Sequence, residues 1–239
     1  MKKYFILFLL ASFLIMLCCN KDSTENETST MTDQDGNVYQ TVKIGNQWWM
    51  AENLKVTHYR NGNPIPRVTS NSAWKDLRTG AYCVYNNNES YAETYGYLYN
   101  WYAVNDNRNL APEGWHVPSD EEWKELEMFL GMSQSEADDT GFRGTNEGSK
   151  LAGNASLWDN GGLENNSDFG VSGFSALPGG YRDSSNGAFD GIGNDASFWS
   201  ATESNSDYAW YRYLGYYYSA VLRRYYDKQD GYSVRLVRD

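Results

Sequence analysis

Apolar residues recur with helical spacing in residues 114–130, GWHVPSDEEWKELEMFL. The side chains on one helical face are Trp123, Leu126, Phe129 and Leu130. Ser119 and Glu122 have the spacing of a capping box, in which the side chain of each accepts a hydrogen bond from the backbone N–H of the other. Pro118 disfavours helical geometry at the residue before it. We therefore predict a helix that begins after Ser119 and packs its apolar face on a large hydrophobic surface.

Alternating apolar and polar positions predict short strands in much of the remaining chain. Residues 38–44, VYQTVKI, alternate, the turn signal Gly45-Asn46 follows, and residues 47–50 return, which together predict a β-hairpin. Further strands are predicted at residues 81–85, 173–183, 196–202, 208–214, 216–226 and 232–238. Short helical segments are predicted at residues 135–139 and 147–152, and long loops at residues 57–93. No repeat or change of composition divides residues 32–239, so we predict one domain.

The composition supports a strand-rich domain with an aromatic core. Of 239 residues, 41% are hydrophobic and 16% aromatic, with 20 Tyr, 9 Trp and 22 Gly. Abundant aromatic residues and glycines fit short strands and many turns better than a helical bundle. We expect most tryptophans of the patterned segments to lie in the core: Trp48, Trp49, Trp101, Trp115, Trp123, Trp199 and Trp210.

The N-terminus has the pattern of a bacterial export signal. Lys2 and Lys3 form a charged start, and residues 4–17 form an apolar run that is shorter than a membrane-spanning helix requires. The run ends in LCCN, which resembles a lipobox and predicts lipidation of Cys19; the alternative is an ordinary cleaved signal with incidental cysteines. We expect a signal peptide over residues 1–19 and a protein anchored by lipid at the bacterial outer membrane or cell surface.

A polar segment follows the lipobox. Residues 20–31 lack apolar periodicity, which predicts a flexible tether before a folded domain at residues 32–239. Its acidic residues also resemble the surface-export signal of Bacteroidetes lipoproteins. Cys83 is then the single cysteine of the domain, so no disulfide is predicted within it.

The chain is strongly acidic. Its 20 basic and 31 acidic residues give a net charge of −11, which loss of Lys2 and Lys3 with the leader changes by two, to −13. Such a surface repels polyanions, so neither nucleic acid nor an anionic membrane surface is an expected partner. We expect the arginines that cluster late in the chain to pair with acidic loops inside the domain: Arg182, Arg212, Arg223, Arg224, Arg235 and Arg238.

Six motifs resemble, in order, the Fibrobacter succinogenes major paralogous domain: DGNVYQTVKIGNQWWMAENL, YGYLYNWYAV, APEGWHVPSDEEWKEL, GFSALPGGYRD, FWSAT and GYSVRLVRD. The resemblance covers about the whole chain after the tether and implies an exported protein or lipoprotein. VPSDEEWKEL, LPGGYRD and GYSVRLVRD are more distantly similar to the formylglycine-generating-enzyme and C-type-lectin-like superfamily. The implied fold is α+β and C-type-lectin-like, with a twisted antiparallel sheet, one or two helices and long irregular loops.

The chain departs from the enzymes of that superfamily. Their activity needs a pair of cysteines near the C-terminal strands, where this chain carries Ser233, Arg235 and Leu236. The histidines, His58 and His116, are too few and too far apart in sequence to indicate a metal set, and we expect His116 to be packed and hydrogen-bonded. The sequence therefore predicts no enzyme activity, no catalytic residue, no cofactor and no metal.

One segment resembles the start of a calcium loop. Residues 33–37, DQDGN, supply the first ligands of such a loop, but Ile44 stands where its twelfth-position glutamate is required, and a strand begins at once. We favour a turn over a calcium site.

Residues 216–226 carry the main functional hint. Successive side chains of a strand point to opposite faces, so some of these rings must be exposed: Tyr216, Tyr217, Tyr218, Tyr225 and Tyr226. Exposed tyrosines stack on sugar rings and hydrogen-bond through their hydroxyls. The alternative is cross-strand aromatic pairing on a solvated face.

Together these features predict a non-catalytic binding or adhesion module, with the membrane as partner through the lipid anchor and a polysaccharide as ligand. Two alternatives stay open. One is a divergent enzyme of the formylglycine-generating superfamily that uses loop carboxylates with His58 or His116. The other is a structural envelope protein that binds other surface proteins.

Overall fold

The computed structural model describes residues 26–239, so the predicted signal peptide, Cys19 and residues 20–25 of the predicted tether lie outside it. The described chain is α+β, as expected, with few helices and curled, mainly antiparallel sheets. Its helices are α1 Asn71–Lys75, α2 Ala92–Tyr95, α3 Trp101–Val104, α4 Asp120–Phe129, α5 Gln134–Asp138 and α6 Glu147–Leu151. Its strands are β1 Thr28–Thr32, β2 Val38–Ile44, β3 Gln47–Met50, β4 Tyr82–Cys83, β5 Leu98–Tyr99, β6 Trp115–His116, β7 Gly141–Arg143, β8 Gly179–Arg182, β9 Phe189–Ile192, β10 Asp195–Glu203, β11 Tyr208–Gly215, β12 Val221–Asp227 and β13 Val237–Arg238. No helix within residues 26–239 is long and apolar enough to cross a membrane.

The first sheet brings the two ends of the described chain together. Its strand order is β1-β2-β3-β13-β6, and every pair is antiparallel. The predicted hairpin is confirmed as β2 and β3, and Gly45 takes the positive φ of +61° that its tight turn requires. The closing strand β13 lies between β3 and β6, where Val237 pairs with both Trp49 and His116.

Strand β1 corrects the predicted tether. Residues 28–32 pair with β2 in continuous register, from Thr28 opposite Val42 to Thr32 opposite Val38. Met31 is buried, whereas the other four residues of the strand are exposed. An edge strand is held by backbone hydrogen bonds and needs little apolar pattern. The polar threonines of β1 therefore gave no strand signal in the sequence. Residues 28–31 therefore belong to the sheet.

The second sheet carries the longest strands, in the order β7-β12-β11-β10-β8-β9. Only the β10–β8 pair is parallel among its strand pairs. Strands β11 and β12 form a hairpin whose turn is residues 216–220, so the predicted strand at 216–226 begins later than expected, at Val221. The predicted strands at residues 173–183 and 232–238 are likewise shorter, since they reduce to β8 and β13.

Helix α4 confirms the predicted helix start. The Ser119 hydroxyl accepts a hydrogen bond from the Glu122 N–H, and the Glu122 carboxylate accepts one from the Ser119 N–H at 2.8 Å. Trp123 and Leu126 are fully buried. Phe129 is 63% exposed, contrary to expectation, because it ends the helix beyond the core, although its ring lies against the hairpin turn at Gly45.

An aromatic cluster joins α4 to both large sheets. The Trp123 ring centroid lies 4.9 Å from that of Trp49, 5.6 Å from Phe174 and 5.8 Å from Phe198. Contacts at these separations add to the large apolar area that such rings bury. Of the seven tryptophans expected in the core, four are buried, namely Trp49, Trp101, Trp123 and Trp199; three are partly exposed, namely Trp48, Trp115 and Trp210.

Helix α4 also carries two buried carboxylates into a network of arginines from the second sheet. Asp120 accepts hydrogen bonds from Arg212 Nη1 at 2.7 Å and Arg223 Nη2 at 2.6 Å. Glu127 accepts from Arg212 Nε at 2.7 Å and Arg143 Nη2 at 2.8 Å. Burial alone would raise the pKa of Asp120, but Arg223 and Arg212 together lower it below its ordinary value.

The late arginines are thus mostly internal, although their partners differ from those expected. Arg212 and Arg223 pair with carboxylates of α4 rather than with acidic loops. Arg182 and Arg235, both fully buried, donate chiefly to backbone carbonyls, including Val68 O and Phe174 O. The remaining two, Arg224 and Arg238, are exposed.

Candidate ligand-binding site

The five tyrosines expected to bind a ligand lie at two ends of one hairpin. Tyr217 and Tyr218 are in the β11–β12 turn and are 65% and 53% exposed, whereas Tyr216 is only partly exposed. Tyr225 and Tyr226 lie near the other end of β12 and are 44% and 42% exposed. As neighbours in a strand, they point to opposite faces of the sheet. The exposure predicted for this segment is confirmed for four rings, but the rings do not all lie on one surface.

A pocket of about 220 Å³ opens on one face of the second sheet. Five tyrosines line it: Tyr181, Tyr211, Tyr213, Tyr226 and Tyr232. The other lining residues are Asp183, Asp195 and Ser197. Tyr226 is the one member of the predicted tyrosine set that reaches this pocket.

The strand register explains why these side chains meet. Tyr211 and Tyr213 are two residues apart in β11 and so share a face, as do Asp195 and Ser197 in β10. Ser197 pairs directly with Tyr213, which places both residue pairs on the same face. Tyr226 of β12 pairs with Ala209, two residues before Tyr211, so its ring projects from that face too.

The pocket wall is a set of mutually packed rings. Tyr211 and Tyr232 stack with centroids 4.9 Å apart and an interplanar angle of 26°. Tyr181 meets Tyr232 edge-on at 6.3 Å, and Tyr226 meets Tyr211 edge-on at 6.0 Å. Tyr232 is buried, whereas Tyr226 is exposed at the rim. The packing fixes the inner rings and leaves the outer one accessible to a ligand.

The pocket is acidic. Asp195 Oδ1 accepts a hydrogen bond from the Tyr213 hydroxyl at 2.8 Å. Burial, with the nearby charge of Asp190, raises the pKa of Asp195 despite that bond. Behind Tyr232, Asp230 accepts from its hydroxyl at 3.2 Å, and burial raises the pKa of Asp230 to about 7. These carboxylates are therefore poorly solvated, and neither forms an ion pair with a Lys, Arg or His of residues 26–239.

A second aromatic group continues from the pocket across the sheet. Phe142 of β7 is 44% exposed, and its ring lies 6.1 Å from Tyr213 and 4.4 Å from Tyr218. Phe142 pairs with Leu222 and Leu222 pairs with Tyr213, so all three side chains share the pocket face. An aromatic row thus runs from the pocket to the turn that carries Tyr217 and Tyr218.

Tyr225 belongs to the opposite face. Its ring lies 5.4 Å from that of Trp210 and 5.7 Å from that of Tyr208. Trp210 in turn lies beneath the Arg223 guanidinium, 3.9 Å from the ring centroid. Tyr225 therefore fits the alternative of cross-strand aromatic pairing, while Tyr226 lines the pocket.

Most pocket residues were missed by the sequence interpretation. Tyr181, Tyr211, Tyr213 and Tyr232 were not singled out, nor were Asp195 and Asp183. The available signal was the spacing of two in Tyr211-Arg-Tyr213 and in Asp195-Ala-Ser197, which marks one face of each strand. The pairing of β10 with β11, and the approach of Tyr181 and Tyr232, depend on tertiary structure.

The two histidines considered as candidate acid or base groups, His58 and His116, lie outside the pocket. His58 Nδ1 is 2.7 Å from Asp35 Oδ1, and His116 lies between Asp239 Oδ1 at 2.6 Å and Glu122 Oε1 at 2.7 Å. The expectation that His116 is hydrogen-bonded is confirmed, but its side chain is only partly buried. Neither histidine lines the pocket.

The single cysteine of the described chain, Cys83, and the segment that resembles a calcium loop, residues 33–37, also lie outside the pocket lining. Cys83 is a free, buried thiol, and burial raises its pKa to about 12. Residues 33–37 form a turn in which Asp33 accepts hydrogen bonds from the backbone of Asp35 and Asn37, both at 2.9 Å. Within residues 26–239, no group of three His, Cys, Asp or Glu side chains could hold a metal ion.

The chain folds into an α+β domain with an open, acidic, tyrosine-lined pocket on one sheet face. The family model of the Fibrobacter succinogenes major domain matches residues 42–238, more than half of the chain. The chain therefore belongs to the Fibrobacter succinogenes major domain family. No curated protein and no solved structure matches it.

Proposed function

We propose that this chain is a non-catalytic carbohydrate-binding module, held by lipid at Cys19 on the bacterial outer membrane or cell surface. The observation that carries the proposal is the pocket in which five tyrosines meet Asp195, Asp183 and Ser197. The C–H faces of a sugar ring are apolar and pack on aromatic rings, while its hydroxyls need donors and acceptors. Tyrosine offers both kinds of contact, and a carboxylate accepts two hydrogen bonds from neighbouring hydroxyls.

The shape of the site favours a polysaccharide chain over a single sugar. The aromatic row from Tyr213 through Phe142 to Tyr218 is exposed and continuous with the pocket. A chain can place one residue in the pocket and further residues along this row. Tyr217 and Tyr218, in the turn before β12, would then contact sugar residues that lie outside the pocket. Tyr226 lies near the other end of β12.

A binding role fits the chemistry better than an enzyme role. The histidines that could serve as acid or base, His58 and His116, are engaged with carboxylates and do not line the pocket. The chain also carries Ser233 and Arg235 where the related enzymes need cysteines, and both side chains are buried.

We also propose that the fold is C-type-lectin-like and distantly related to the formylglycine-generating superfamily. The resemblance implies a C-terminal strand beside the N-terminal strands. The position of β13 between β3 and β6 supports this arrangement, as does α4, the longest helix of residues 26–239, packed on the sheets.

The test compares two adjacent tyrosines of β12. Calorimetric titration of a panel of glucan, xylan and mannan oligosaccharides identifies a bound glycan, and Tyr226→Ala should then weaken its binding about tenfold, equivalent to about 1.4 kcal/mol. Tyr225→Ala is the matched control, because Tyr225 is similarly exposed but faces away from the pocket; we expect an effect below about twofold. Absence of binding across the panel, or equal losses in the two variants, would overturn the proposal.

A further inference from the structure

We propose that the tyrosine pocket selects glycans that carry a protonated amino group over neutral and anionic ones. The inference rests on the proposed function, because it assigns the ligand class of the same site. The pocket has an imbalance of charge: two carboxylates line it, and no Lys, Arg or His is among its lining residues in the part of the chain that the structure describes.

Asp195 differs from the carboxylates of this domain that form ion pairs. Asp120 and Glu127 each contact two arginines, and Glu203 contacts Lys228. Among residues 26–239, Asp195 receives one side-chain hydrogen bond, from the neutral hydroxyl of Tyr213. Partly buried charge is costly when it lacks an opposite charge. A ligand ammonium would supply the missing partner.

The surrounding rings suit a cation as well. The negative face of an aromatic ring attracts an ammonium within about 6 Å of its centroid, and this attraction strengthens as the site is desolvated. Tyr211, Tyr213 and Tyr226 come from neighbouring strands of one face. Burial raises the pKa of Tyr181 to about 12, and its neighbours Asp190, Asp195 and Asp183 act in the same direction. The phenol of Tyr181 therefore stays neutral and adds no negative charge beside the pocket carboxylates.

One cation lies near the rim. Arg224 shares the pocket face, since it pairs with Tyr211 in the β11–β12 register, and its side chain is exposed. An anionic sugar that reached Arg224 would approach the pocket carboxylates Asp183 and Asp195 as well. Because solvent screens the exposed Arg224 guanidinium, its attraction for an anionic sugar offsets little of the repulsion from the less exposed Asp183 and Asp195. The geometry therefore favours an ammonium inside the pocket.

The test uses the full chain, purified in detergent, and β-1,4-linked oligosaccharides of equal length that differ at one substituent. These are oligomers of glucosamine, N-acetylglucosamine, glucose and glucuronic acid, titrated by calorimetry at a pH below the pKa of the amine and above the raised pKa of Asp195. We expect the glucosamine oligomer to bind at least about tenfold more tightly than the glucose oligomer, as one added charge contact of about 1.4 kcal/mol requires. Asp195→Asn should reduce this preference to below about threefold.

A control separates pocket recognition from general attraction to an acidic protein. Asp207 is exposed in the β10–β11 connection, outside the pocket, so Asp207→Asn removes the same charge and should keep the preference. If Asp195→Asn fails to fold, as judged by circular dichroism, Asp183→Asn replaces it, with a partial loss expected.

The failures are distinguishable. Equal or tighter binding of the glucose, N-acetylglucosamine or glucuronic acid oligomer would overturn the amine preference and leave the carbohydrate proposal standing. Equal loss of preference in Asp195→Asn and Asp207→Asn would overturn the role of the pocket in that preference. Binding of no oligosaccharide at all would overturn both proposals.

Discussion

The buried ion network beneath the second sheet makes a strong prediction about stability. Glu127 is fully buried and neutralises two guanidiniums, those of Arg212 and Arg143, at 2.7 and 2.8 Å. In Glu127→Gln the side-chain shape is kept, but one carboxylate oxygen becomes an NH2 group. Whichever way the amide turns, a donor then faces a buried guanidinium.

The size of the loss follows from the charge count. The native network joins three guanidiniums, of Arg143, Arg212 and Arg223, to the carboxylates of Asp120 and Glu127. Removing one carboxylate leaves three cations with one anion in a site that excludes water. Breaking a buried pair in this way costs about 3–5 kcal/mol. For a domain of this size, that corresponds to a fall in Tm of roughly 6–20 °C.

Urea unfolding followed by tryptophan fluorescence measures the loss. The matched control is Glu125→Gln on the same helix, which removes the same charge from an exposed side chain and should change the free energy of unfolding by less than about 0.5 kcal/mol. If Glu127→Gln costs less than about 1 kcal/mol, or no more than the control, the network does not hold α4 against the sheet as described.

Three further predictions concern single groups. Burial raises the pKa of Asp230 from 3.8 to about 7, so between these pH values the folded state keeps a proton that the unfolded chain releases. As pH rises through this range, the free energy of unfolding of the wild type should therefore fall relative to that of Asp230→Asn, by up to about 4 kcal/mol in urea unfolding. Parallel pH profiles of the two proteins would contradict this. Burial lowers the pKa of His116, but its hydrogen bonds to Asp239 and Glu122 raise the pKa overall. The contribution of His116 to folding stability is therefore full below about pH 6.5 and is lost as pH rises through the pKa of the folded state. NMR titration should show a lower pKa for this histidine in Asp239→Asn, and an unchanged value would refute the pairing. Cys19→Ala should abolish incorporation of a labelled fatty acid, and retained label would show that the lipobox is misassigned.

Local signals predicted the local parts of the fold. The capping box of Ser119 and Glu122 and the turn at Gly45 depend on residues close in sequence, and both formed as expected. Strand β1 was missed because its threonines are polar and its order comes from pairing with β2. Phe129 fits the apolar stripe of α4, but the helix ends there, and sequence spacing does not show where the core ends.

The candidate site was predictable only in part. The tyrosine-rich segment led to Tyr226, and alternation alone showed that Tyr225 and Tyr226 cannot share a face. The pocket also needs Tyr181 and Asp195, which meet through the order of strands in the second sheet. It needs Tyr232 too, which lies after β12 and forms a bridge with Tyr99 of β5. The arginine network had the same limitation, because Asp120 and Glu127 look like exposed helical acids in sequence and are buried by long-range packing.

A crystal structure of the protein soaked with an oligosaccharide that it binds tests most directly whether the tyrosine pocket binds carbohydrate. We expect a sugar residue against the rings of Tyr211 and Tyr226, within hydrogen-bond distance of Asp195, with further residues toward Phe142. Sugar density confined to another surface, with the pocket empty at a saturating concentration, would contradict it.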